Sequence, residues 1–136
     1  MIQKITFATI LVAFSVFFIC FTNASPIKNS PHSSFAFADF PTLAGGVIFY
    51  EFRNNDNVFV RVTWQFNDGF TDATSKYEIQ IPHLKKQLIS NINPPGTPIF
   101  QYDIEGKTLK FFIEKKVKVF RDGEVLVEER IVPAPE

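Results

Sequence analysis

The chain has 136 residues, 46% hydrophobic and 21% charged, with 14 Lys+Arg set against 14 Asp+Glu. That length holds one domain, and the composition excludes an intrinsically disordered chain. A formal net charge of zero gives no overall electrostatic case for nucleic-acid binding.

Lys4 precedes an uncharged apolar run over residues 5–21 (ITFATILVAFSVFFICF), which ends in Thr22, Asn23 and Ala24 before Ser25 and Pro26. A basic start, an apolar middle and a small-residue exit predict a secretory signal peptide over 1–24, cleaved after Ala24, and hence a secreted, extracellular protein. A retained membrane anchor is the alternative, but a bilayer core of roughly 30 Å asks for about 20 apolar residues, more than this run supplies. Cleavage removes Cys20, the single cysteine, so the mature domain is expected to hold together by hydrophobic burial without disulfides. It also leaves a nearly neutral chain with no stable membrane anchor and no strong attraction to anionic surfaces.

Residues 25–34, rich in Pro, Ser and Asn, read as a flexible leader, and 35–136 as the domain. Phe35, Phe37 and Phe40 mark a short first strand ended by Pro41. Residues 46–53 (GVIFYEFR) form a second, closed by the turn residues Asn54, Asn55, Asp56 and Asn57. In the third, Val58, Val60, Val62, Trp64 and Phe66 point one way while Phe59, Arg61, Thr63 and Gln65 point the other. Asn67-Asp68-Gly69 breaks it. Residues 75–81 form a fourth strand with Tyr77, Ile79 and Ile81 inward, stopped by Pro82. Residues 84–92 fit a turn and a half of helix as well as an edge strand. The prolines over 93–98 exclude both there. Two hairpins complete the chain: 99–104 with 107–114 about Glu105-Gly106, and 116–121 with 124–132 about Asp122-Gly123, placing Arg121 opposite Glu124. Seven or eight short strands with brief connections predict an all-β fold, a single antiparallel β-sandwich or a barrel-like variant of one.

Residues for chemistry are sparse. Nucleophilic catalysis needs a Cys or Ser with a His in reach, yet His32 falls in the leader and His83 follows Pro82 at a strand end. Two distant histidines do not make a zinc or copper site. Gly45-Gly46 precedes a strand rather than a helix, so it is no phosphate loop. Asp68, Asp72 and Asp103 match no calcium-loop spacing and read as turn caps. No catalytic residue, metal ligand or cofactor is assigned.

Residues 46–52 (GVIFYEF), 58–63 (VFVRVT), Gly69-Phe70 and 77–80 (YEIQ) resemble, in order, the early strands of the copper/zinc superoxide dismutase-like sandwich. In that family a glycine-led strand ending in Phe and Glu/Gln is followed by an alternating valine strand and a short strand carrying His-x-His. The resemblance covers about a third of the chain and implies the Greek-key sandwich. Glu78 and Gln80 stand where the paired metal histidines would be, so it implies a degenerate relative without dismutase activity. The chain also looks like small, fast-diverging secreted proteins of fungi.

The unusual feature is aromatic surplus. The second strand is apolar on both faces, Val47 and Phe49 on one and Ile48, Tyr50 and Phe52 on the other. A loop over 54–57 sets Phe52 opposite Phe59 and Tyr50 opposite Arg61, gathering Tyr50, Phe52, Phe59 and Arg61 on the face away from Val58, Val60, Val62 and Trp64. Loops or the 84–92 segment covering this face is the plain explanation. An aromatic contact surface for a protein, an apolar or small-molecule ligand, or a second copy of the chain is the sharper one. The lysines at 107, 110, 115, 116 and 118 read as a solvated edge, or as an anionic-ligand site. The expected function is therefore a secreted, non-catalytic binding or interaction module using Tyr50, Phe52, Phe59 and Arg61. The alternatives are a metal-dependent enzyme assembled from scattered carboxylates and His83, and a carrier of an apolar ligand.

Overall fold

The computed structural model describes residues 34–135. The expected signal peptide over 1–24 and the leader as far as residue 33 lie outside the described residues. In chain order the elements are β1 (Phe35–Phe40), a 3-10 turn (Pro41–Leu43), β2 (Gly45–Asn54), β3 (Asn57–Phe66), β4 (Tyr77–Gln80), β5 (Gln87–Leu88), β6 (Phe100–Glu105), α1 (Leu109–Phe112), β7 (Lys116–Arg121), β8 (Glu124–Arg130) and β9 (Val132–Pro133). They form two antiparallel sheets, β6-β3-β2-β1-β9 and β5-β4-β7-β8. The fold is thus an all-β sandwich. The run β9-β1-β2-β3 has the spatial order of a Greek key, with the return made through the second sheet. The short pairings of β5 and β9 take the strand count past the expected seven or eight.

The β2–β3 hairpin follows from its sequence. Asn55 and Asp56 take positive φ (50° and 68°), as both central residues of a type I′ hairpin turn must, and Asn and Asp tolerate that conformation better than most. Asn54 then pairs with Asn57, and the register runs Phe52↔Phe59, Tyr50↔Arg61, Phe49↔Val62, Val47↔Trp64, as the alternation requires. Val47, Phe49, Val60, Val62, Trp64 and Phe66 are buried with Ala36, Ala38 and Phe40 of β1. From the four-stranded sheet Tyr77, Ile79, Val117 and Val119 complete the same core. Phe66 lies at its aromatic centre, with ring centroids 5.4 Å from Phe40, 5.7 Å from Trp64 and 5.6 Å from Phe70.

One expected hairpin does not form. Residues 107–114 do not pair back on β6, which instead adds to the edge of β3 with Val62↔Tyr102 and Arg61↔Asp103. The segment turns into α1, where Leu109 and Phe112, three apart, both face the core. Glu51 of β2 fixes this choice: its Oε1 accepts a hydrogen bond from the Leu109 amide at 2.6 Å, satisfying a donor that a helix start leaves open. The 84–92 segment resolves as an edge strand, β5 pairing with β4 through Glu78↔Leu88. The β7–β8 hairpin holds, with Arg121↔Glu124, and a bulge between Val119 and Phe120 interrupts its ladder. A bulge on a strand pair at the sheet edge blunts that edge against further pairing.

A polar lock ties the 72–75 turn to β7. Asp72 accepts from the Ser75 amide (2.6 Å), the Ser75 hydroxyl (2.9 Å) and the Thr74 amide (3.1 Å), and Arg121 Nη2 donates to it at 2.7 Å. The Ser75 bonds above all hold the Asp72 carboxyl down to about 2, against an ordinary value of 3.8. A depressed folded value means the stabilisation is complete above the unfolded pKa and is lost as pH falls through the folded one. Wild type should therefore lose more stability than Asp72→Asn between about pH 4 and pH 2. Urea midpoints across that range check this, and parallel curves would contradict it.

Candidate interaction surface

Strand alternation sends every second side chain of β1, β2, β3 and β6 away from the core. Cross-strand register aligns these outward residues in rows: Phe35↔Tyr50↔Arg61↔Asp103, then Phe37↔Ile48↔Thr63↔Gln101, with Phe52↔Phe59↔Glu105 at the hairpin end. Tyr50, Phe52, Phe59 and Arg61 are thus brought to one face, and all four are half-buried. The 84–92 segment is not what lies against them, since β5 belongs to the other sheet.

The rings form a continuous stack. Phe35 and Tyr50 lie 4.7 Å apart between centroids, Tyr50 and Phe52 5.9 Å, Phe52 and Phe59 5.3 Å, with interplanar angles of 21°, 16° and 15°. Near-parallel rings on neighbouring strands turn their faces to one another. The Arg61 guanidinium adds a further contact, its Cζ 4.9 Å from the Phe52 centroid. Arg61 is itself held by a fork on Asp103, Nε to Oδ1 at 2.8 Å and Nη2 to Oδ2 at 3.1 Å. That hydrogen-bonded carboxylate raises the Arg61 pKa further, so its charge persists at any working pH. A fork bound on one side and a ring on the other fixes a long side chain that would otherwise sample many rotamers.

Two contributors were not assigned from sequence. Phe35 extends the stack, and its parity with Phe37 against inward Phe40 was a readable signal. Asp103 reaches Arg61 only because β6 docks on β3, which no local pattern announces. The other acidic candidates stand apart: Asp72 is engaged by Ser75 and Arg121, and Asp68 Oδ1 accepts from the Gly69 amide at 2.8 Å. Among the described residues no group of three or more His, Cys, Asp or Glu side chains is placed to hold a metal ion. His83 sits exposed, edge-on to Phe111 at 5.8 Å. An open hollow of about 410 Å³ is lined by Asn67, Asn91, Asn93 and the 94–98 turn, where proline rings sit among the carboxamides. No helix among the described residues is long and apolar enough to cross a membrane. No protein family, curated protein or solved structure matches the chain.

Proposed function

We propose that the chain is a secreted, non-catalytic binding module whose contact surface is the outer face of the five-stranded sheet, centred on Phe52, Phe59 and Arg61 and including Tyr50, and whose partner is a protein or peptide presenting apolar side chains. The observation that carries the reading is the near-parallel ring stack on the face opposite the core, ending on an arginine fixed by Asp103. Rigid aromatics beside an ordered arginine are the composition of energetic centres in protein interfaces, and neither has to be immobilised again on binding. The ring faces are turned on each other, so the stack offers edges rather than an open platform. A sugar ring needs such a platform, whereas an apolar peptide side chain packs against edges equally well. The likeness to the superoxide dismutase-like sandwich enters this reading through the fold alone, with Glu78 and Gln80 in place of a metal-binding pair.

Panning the folded chain against a random-peptide display library tests the reading. Enriched peptides should be rich in aromatic and aliphatic residues. Phe52→Ala/Phe59→Ala should weaken the selected peptides by about 2 kcal/mol or more, at least about thirtyfold. Both positions are half-buried, so the variant should keep its cooperative melt. Selected peptides that bind the double variant as tightly as wild type would sink the assignment.

A further inference from the structure

A second surface, sharing no residue with the sheet face, gathers cations around one ring. Phe111 lies in α1 between the buried Leu109 and Phe112 and is itself half-buried, with exposed Lys110 beside it in the sequence. Lys107 Nζ stands 4.4 Å and Lys115 Nζ 3.3 Å from the Phe111 centroid. Lys115 Nζ also donates to the Phe111 carbonyl at 2.6 Å, and His83 meets the ring edge-on at 87°. Two nearby carboxylates are committed elsewhere, Glu51 to the Leu109 amide and Glu114 to Arg130 at 3.6 Å. Among the described residues Lys107 and Lys115 have no ion pair.

Residues 105–118 hold five lysines and two glutamates in a chain of formal net charge zero. Lys116 is paired with Glu128 at 3.1 Å and Lys118 lies opposite Glu128 in register, which leaves Lys107, Lys110 and Lys115 at the Phe111 end. The balanced total gives no attraction of the molecule as a whole to an anionic surface, but this end carries a local excess. We propose that the Phe111 end, with Lys107, Lys110 and Lys115, docks peripherally on an anionic lipid surface. The cluster is built of lysines, point charges on flexible stems, and not of arginine forks. A compact oxyanion calls for donors converging on one spot, whereas a headgroup layer asks only for positive charges near a plane. Phe111 among them supplies the apolar contact that interfacial segments pair with basic residues. Two like charges drawn to one ring without a carboxylate between them repel each other, and an anionic layer relieves that repulsion.

The test is co-sedimentation of the folded chain with vesicles of phosphatidylcholine alone and with about 30% phosphatidylserine, at about 50 mM and about 300 mM salt. We expect at least about tenfold more binding to the anionic vesicles at low salt, most of it lost at high salt. Lys107→Gln/Lys115→Gln and the single exposed Lys110→Gln should each reduce it, the double variant by about tenfold or more, with unchanged melting. Phe52→Ala/Phe59→Ala should bind vesicles as wild type does, which separates this surface from the sheet face. Equal binding to both vesicle types, or lysine variants that sediment like wild type, would overturn the proposal. Retention on heparin without a preference for anionic vesicles would replace it with a soluble polyanion site.

Discussion

Phe66→Ala should lower stability by about 3–5 kcal/mol, the cost of emptying a buried aromatic site. Phe66 is fully buried and touches three other rings, Phe40, Trp64 and Phe70. Those neighbours come from β1, from β3 itself and from the loop that leaves β3. A cavity there is bounded by rings on both chain sides of the residue and by the β1–β2–β3 ladder, whose hydrogen bonds resist collapse into the space. Backbone relaxation is limited further because the Phe66 amide donates to Thr97 Oγ1 at 3.1 Å and its carbonyl accepts from the Thr97 amide at 2.8 Å. For a domain of this size each kcal/mol shifts the melting temperature by roughly 4–8 °C, so the expected fall exceeds about 12 °C. Urea unfolding with an unchanged slope measures it, and a loss under about 1.5 kcal/mol would mean that the site can close. Phe52→Ala, at a half-buried position on the outer face, should cost about 1 kcal/mol or less, which decides that Phe52 serves the surface more than the core.

How much of this was legible follows from where each determinant lies in the chain. The β2–β3 register could be read because all of its causes are local. Alternation over 46–53 and 58–66 sets the faces, and the Asn-Asp pair at 55–56 sets the turn, which together bring Tyr50, Phe52, Phe59 and Arg61 to one side. The 107–114 segment could not be read that way. Its apolar residues, Leu109, Phe111, Phe112 and Ile113, satisfy a strand pattern and a helical one equally, and the deciding contact comes from Glu51, 58 residues away. Arg61 presents the same difficulty. Its half of the ion pair was visible, but Asp103 lies 42 residues on, and β6 reaches β3 only after the chain has crossed to the other sheet and back. Local patterns thus placed the rings, while long-range topology supplied the carboxylate that holds the arginine still.

The same β2–β3 closeness makes Gly45→Ala the second large loss, about 3 kcal/mol or more, or a fall in melting temperature beyond about 12 °C. Gly45 pairs with Phe40 on one side and Phe66 on the other, so three strands meet at one residue. A Cβ there would overlap the Gln65 carbonyl oxygen and stand 2.8 Å from Phe66 Cα and 2.9 Å from the Gln65 carbonyl carbon. Every one of these atoms is backbone, so no side-chain rotation relieves the overlap and the strands themselves must separate. Gly123 provides the contrast. A Cβ there meets nothing within 4 Å, and only its φ of 85° disfavours an L side chain, a penalty of roughly 1–2 kcal/mol. Thermal melts of Gly45→Ala and Gly123→Ala side by side should therefore separate steric from conformational cost. If Gly45→Ala is the milder of the two, the strand approach is looser than the ladder implies. The Phe66 site would then have room to close as well, so the two large losses stand or fall together.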